Sequence, residues 1–122
     1  MKIVIDYSGD GLRLTAEAFE HLKACSTSDG STHDHLLDHC TLTSYAVAVI
    51  PPYPRQLRHH PELLDLVSCL GKRTFCSECD VRVVDIPDGV DWKIGEIAGF
   101  EWIDAKAPNE AAAKLELCYT PL

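Results

Sequence analysis

The sequence predicts an α+β fold, in which a mainly antiparallel sheet with a C-terminal-half β-hairpin is covered by two or three helices. Three stretches carry that expectation. Lys2 to Asp6 (KIVID) is short, rich in β-branched residues and runs into a loop holding Gly9 and Gly11, as a strand ending in a turn does. Leu63, Leu66, Val67 and Leu70 fall at i, i+3, i+4 and i+7, the stripe of a helix with one face on a core. Val81 to Ile103 packs a strand, a turn and a hairpin into one block.

Taken in order, the Lys2–Asp6 strand and its glycine loop lead to Thr15, placed to cap a helix reaching about Cys25. Glu17 lies in its first turn, where the helix dipole favours an acid, and Phe19 with Leu22 forms its apolar stripe. Residues 26–32 (STSDGST) are polar breakers and read as a loop. Thr32 is placed to cap a brief helix through Cys40. Tyr45 to Ile50, within TLTSYAVAVI, then reads as a second strand stopped by Pro51, Pro52 and Pro54.

The clearest helix follows, with His60 as N-cap, Pro61 at the first helical position and Glu62 and Asp65 near the positive end. Gly71 stops it by adopting positive φ. Val81 to Ile86 is a strand and Pro87-Asp88-Gly89 a turn. Trp92 and Ile94 against Phe100 and Trp102 form two arms closed near Ala98-Gly99, with Gly99 in the left-handed position. Asn109 is placed to cap a last short helix over EAAAKLEL.

A chain of 122 residues fits a single domain, with 26–44 as a variable loop and short helix and 105–122 as a C-terminal extension. The longest apolar run, Tyr45 to Pro52, is far shorter than the roughly 20 residues that span a bilayer, so no membrane contact is expected. A formal net charge of -8 argues against direct binding to DNA and favours a basic partner. With no apolar export signal the expected compartment is the reducing cytoplasm, where the six cysteines stay free thiols.

Cys76-Ser77-Glu78-Cys79 is half of a metal site, since two thiolates two residues apart can hold one ion from a tight turn. His35 and His39, four apart on the short helix, are the candidates to complete it, which makes zinc the candidate cofactor and no other cofactor is expected. The bland alternative has these cysteines bordering a strand and the histidines in solvent. Catalysis by a cysteine or histidine, such as His59 or His60 beside Asp65, has no assembled motif behind it: there is no nucleophile elbow, P-loop, dinucleotide fingerprint or HExxH. Binding is better motivated. Tyr53, Arg55, Arg58, Trp92 and Trp102 are of the types enriched at interface hot spots, although tryptophans alternating on a hairpin are more often packed against neighbours. Arg55 and Arg58 stand before a helix N-terminus, where anions are favoured, and Asp85, Asp88 and Asp91 gather acidic charge around the start of the hairpin.

Met1 to Ile5 (MKIVI), the Arg58-x-x-Pro61-x-Leu63 spacing and the Val81–Ile103 segment together resemble a family of small phage and prophage proteins. The resemblance covers Met1 to about Leu14 and Arg55 to Ile103. The relatives carry Asn at Asp6, Asp at His60 and Asp-Gly at Ala98-Gly99, and their basic tail is replaced here from Asp104 onward. What the resemblance implies is a phage setting, hence a non-enzymatic inhibitor acting in the cytoplasm of an infected bacterial host. It would either block a nucleic-acid-binding defence effector, as anti-CRISPR proteins do, or sequester a nucleotide signal. A small zinc-stabilised interaction module is the alternative. The sequence leaves the oligomeric state open, with a homodimer one candidate.

Overall fold

The structure, a computed structural model, describes residues 1–9, 11–28, 35–42, 48–51, 54–106 and 117–122, the side chains of 25–28 excepted. In chain order these form β1 (Lys2–Asp6), β2 (Leu12–Arg13), α1 (Ala16–Ser28), α2 (Leu36–His39), β3 (Thr41–Leu42) and β4 (Ala48–Ile50). A 3-10 turn, η1 (Arg55–His59), leads into α3 (Pro61–Leu70) and a second 3-10 turn, η2 (Gly71–Thr74). β5 (Val81–Asp85), β6 (Asp91–Ile97), β7 (Phe100–Lys106) and β8 (Tyr119–Pro121) complete the chain. The fold is α+β with the expected hairpin, β6–β7, in the C-terminal half.

Among the described residues, the strands expected to share one sheet form three antiparallel ones, ordered β1-β5-β8, β2-β4-β3 and β6-β7. One reason lies in TLTSYAVAVI. Its two described ends pair with each other, Thr41 facing Val49 and Leu42 facing Ala48, while Leu12 and Arg13 pair with the other edge of β4; residues 45–47 of the expected strand lie outside the described residues. A second reason is that side chains replace a strand along β7. The Ile103 N–H donates to the Tyr119 hydroxyl at 3.0 Å, and that hydroxyl donates to the Ile103 carbonyl at 3.4 Å.

β1 is buried along almost its whole length because both faces of its sheet are covered. Val4 and Val81 pack into a cluster with Leu22, Leu63 and Leu66 from the helices. Ile3, Ile5, Val84 and Ile86 pack against Ile103 and Ala105 of the hairpin. The order is helices, sheet, hairpin.

The caps behave as the sequence implies. Thr15 Oγ1 accepts from the Ala18 N–H at 3.1 Å, and the His60 ring accepts from the Glu62 N–H at 3.1 Å with Pro61 beside it. Leu63 and Leu66 are fully buried, whereas Val67 and Leu70 are half-buried at the edge of the core. Gly71 ends α3 with φ of 57°. Tyr53, Thr32 and the expected cap at Asn109 lie outside the described residues.

Candidate functional site

A cleft forms where the end of β1, the glycine loop after it, η1 and the tip of the hairpin meet. It begins with Asp6, whose side chain turns back under the loop. Oδ1 accepts from the Ser8 N–H at 3.1 Å, the Ser8 hydroxyl at 3.0 Å and the Gly9 N–H at 3.1 Å, and Oδ2 accepts from the Gly11 N–H at 2.8 Å. Four donors therefore hold one buried carboxylate. That shapes the loop into a rim.

The tip of the hairpin docks on this rim. Ala98 (φ 51°) and Gly99 (φ 87°) form a two-residue turn with positive φ at both central positions, the type I′ geometry that matches strand twist. A Cβ added to Gly99 would stand 2.9 Å from the Gly9 carbonyl oxygen, so backbone approaches backbone there as only glycine permits. Further along, Gly95 faces Trp102 across the hairpin, and the indole occupies the space that a Gly95 side chain would need.

Docking brings β7 over η1, and Glu101 is the link. Its Oε1 accepts from the Asp6 N–H at 2.8 Å. Its Oε2 accepts from Arg55 Nη1 at 2.9 Å and from Arg58 Nη2 at 2.8 Å. Glu101 and Arg58 are 2% and 3% exposed, whereas Arg55 keeps a quarter of its side chain in solvent. Burial pulls the Arg58 pKa down, opposed by the charges of Glu101 and Asp6. Arg58 Nε and Nη1 are buried with no hydrogen-bond partner among the described residues. The residues lining the resulting cavity of about 220 Å³ include Asp6, Ile50, Arg55, Arg58, Glu96 and Glu101.

Asp6 and Glu101 were not among the residues that the sequence singled out. A signal for Glu101 does exist: along β7, Glu101 shares its face with Ile103 and Ala105, so an acid stands at an inward position of an alternating strand. A larger open groove of about 440 Å³ between α3 and the β1-β5-β8 sheet, floored by Leu64, Val67 and Val83, has two charged side chains, Lys2 and Asp85, on its lining.

The other expected site residues are distributed differently. Asp85, Asp88 and Asp91 are all exposed around the β5–β6 turn, with Asp85 3.5 Å from the Met1 ammonium and Asp91 opposite Lys106. Trp92 and Trp102 are half-buried, Trp92 with its ring edge-on to His59 at 6.0 Å. The four residues expected to hold zinc are not gathered. His35 Nδ1 is 3.0 Å from Glu62 Oε2, so it ties α2 to the start of α3. Cys76 and Cys79 sit in a turn after the Leu14–Phe75 bridge. Among the described residues no group of three or more His, Cys, Asp or Glu side chains is placed to hold a metal ion. For nucleophilic chemistry, burial pushes the Cys40 thiol up to about 11, and the His60 ring caps α3. No helix among the described residues is long and apolar enough to cross a membrane.

No protein-family model matches the chain, and neither a curated protein nor a solved structure matches it.

Proposed function

We propose that this chain acts by occupation, as a phage-encoded inhibitor of a host defence system that captures the phosphate of a nucleotide signal in the Arg55/Arg58 cleft. The observation that carries the reading is the placement of Arg55 and Arg58 together on the wall of one cavity, where each gives one hydrogen bond to Glu101. Charge alone does not favour an anion there, because Asp6, Glu96 and Glu101 line the cavity with the two arginines, so recognition rests on directed hydrogen bonds from the guanidiniums. Arg55, partly exposed, is the group that an incoming phosphate meets first.

Size limits what enters. A cavity of about 220 Å³ is smaller than the roughly 300–1,000 Å³ of sites that enclose a whole small molecule. The phosphoryl end goes in and the base stays outside. Thermal shift and equilibrium dialysis against inorganic phosphate, mononucleotides and cyclic nucleotides test this. Binding stabilises the fold by about 2.7 kcal/mol at a hundredfold excess over Kd, and Arg55→Gln removes that gain. Absence of any shift at millimolar ligand rejects the reading.

A second reading is favoured by Asp85, Asp88 and Asp91, exposed together on one turn. In it, the acidic turn covers a basic nucleic-acid-binding surface of a defence effector, with charge accelerating the encounter.

A further inference from the structure

Cys76 and Cys79 are the chemical motif of the sequence that the cleft leaves unused. Their geometry is set by the fold. The Cys76 N–H donates to the Arg13 carbonyl at 2.9 Å, extending the bridge between Leu14 and Phe75, and the chain then reverses at once. The Cys79 N–H donates to the Cys76 carbonyl at 3.0 Å, which closes a β-turn and holds the two Cα atoms within about 7 Å. Both thiols are free and half-exposed, and the residues between them, Ser77 and Glu78, are exposed. The contact recorded for the Cys76 thiol is a long one, 3.8 Å to the Leu14 carbonyl.

One ion pair adjoins the turn, with Arg13 Nη2 3.8 Å from Glu78 Oε2. The Arg13 Nε is buried without a hydrogen-bond partner among the described residues. Arg13 and Glu78 offset one another, so the thiols of this turn become thiolates as a metal ion displaces their protons.

Two sulfurs on one turn are half of a tetrahedral set, and the described residues supply no third ligand. We propose that a second copy of the chain completes the site: Cys76 and Cys79 of two protomers hold one zinc ion between them as a four-thiolate centre on a two-fold axis. Such an axis is what a shared site made of one repeated patch requires. Four thiols release four protons as the ion binds, leaving a centre of charge 2−. Thiolates select zinc over magnesium or calcium, which take oxygen ligands. His35 and His39 are not used.

The test is stoichiometry joined to mass. Full-length chain, kept reduced with a phosphine and stripped of metal, is titrated with zinc chloride while mass is followed by light scattering. The expected result is saturation at half an equivalent per chain together with conversion to dimer, both reversed by a chelator. Cobalt(II) in place of zinc should give the intense visible bands and sulfur-to-metal charge transfer of a four-sulfur tetrahedral centre, a ligand count that needs no variant. Cys79→Ser should abolish uptake and dimer, and Cys69→Ser with Cys118→Ser should leave both intact. Saturation at one equivalent in a monomer, a cobalt spectrum with nitrogen ligands, or no uptake would each overturn the shared centre.

Discussion

Glu101 and Arg58 form an ion pair closed off from water, with Nη2 2.8 Å from Oε2 and side chains 2% and 3% exposed. One partner comes from the hairpin and the other from the turn before α3, so the pair fastens two elements that share no strand ladder. The Asp6 N–H, bonded to the other Glu101 oxygen, adds β1 to the same knot.

Breaking that pair is costly because the remaining charge stays buried. Glu101→Ala and Arg58→Ala should each lower the unfolding free energy by about 3–5 kcal/mol, measured by denaturant titration. Arg55 differs, since a quarter of its side chain is in solvent and Arg58 still pairs with Glu101; Arg55→Gln should cost about 1 kcal/mol or less. The double variant Arg58→Met/Glu101→Leu should recover most of either single loss. A double variant as unstable as the sum would mean that the two residues act separately.

The turn at Ala98-Gly99 holds a correctable strain. Ala98 adopts φ of 51°, a conformation that costs a residue with a Cβ roughly 1 kcal/mol and that asparagine or aspartate tolerates better. Ala98→Asn should therefore stabilise the protein by about 0.5–1 kcal/mol. Gly99→Ala should do the opposite, because its Cβ meets the Gly9 carbonyl oxygen. Calorimetric melting temperatures moving in opposite directions would report both the turn type and its docking; equal, negligible shifts would show an undocked tip.

Local chemistry made some elements legible and non-local pairing hid the rest. The Thr15 and His60 caps, the Leu63/Leu66 face and the hairpin are written in neighbouring residues, and they stand where periodicity and turn chemistry put them. β2, β3 and β8 are two or three residues long, too short for any period to show, and exist because a partner strand lies alongside. The same applies to the cleft. Arg55 and Arg58 were visible as cations before a helix, but the acid that organises them is 43 residues from Arg58 in sequence. Only its inward place on β7 announced it.

Cys40 offers a pH signature. Burial raises its thiol from 9.0 to about 11, so the folded state binds the proton more tightly than the unfolded chain. That contribution to stability is fully present below pH 9 and is lost as pH rises toward 11. Thiol-reagent labelling at pH 8 should accordingly modify the exposed Cys69 and Cys118 well before Cys40. Cys40 labelling as fast as those two would show its site open to solvent.

Neutralising the acidic turn separates the two readings of function. Asp85, Asp88 and Asp91 are all exposed, and the closest charge to Asp85, the Met1 ammonium at 3.5 Å, is itself half in solvent. The pairing is therefore weak, and Asp85→Asn, Asp88→Asn and Asp91→Asn together should change stability by no more than about 1 kcal/mol. None of the three lines the Arg55/Arg58 cleft. Nucleotide retention should thus stay as in the unmodified protein, and inhibition with it, at any salt concentration that leaves the cleft occupied. Were the turn the inhibitory surface, the triple variant would associate more slowly with its basic target, and added salt would weaken the unmodified protein as the Debye length falls from about 10 Å toward 3 Å. Loss of inhibition by the triple variant, with cleft binding intact, would move the function from Arg55 and Arg58 to the β5–β6 turn.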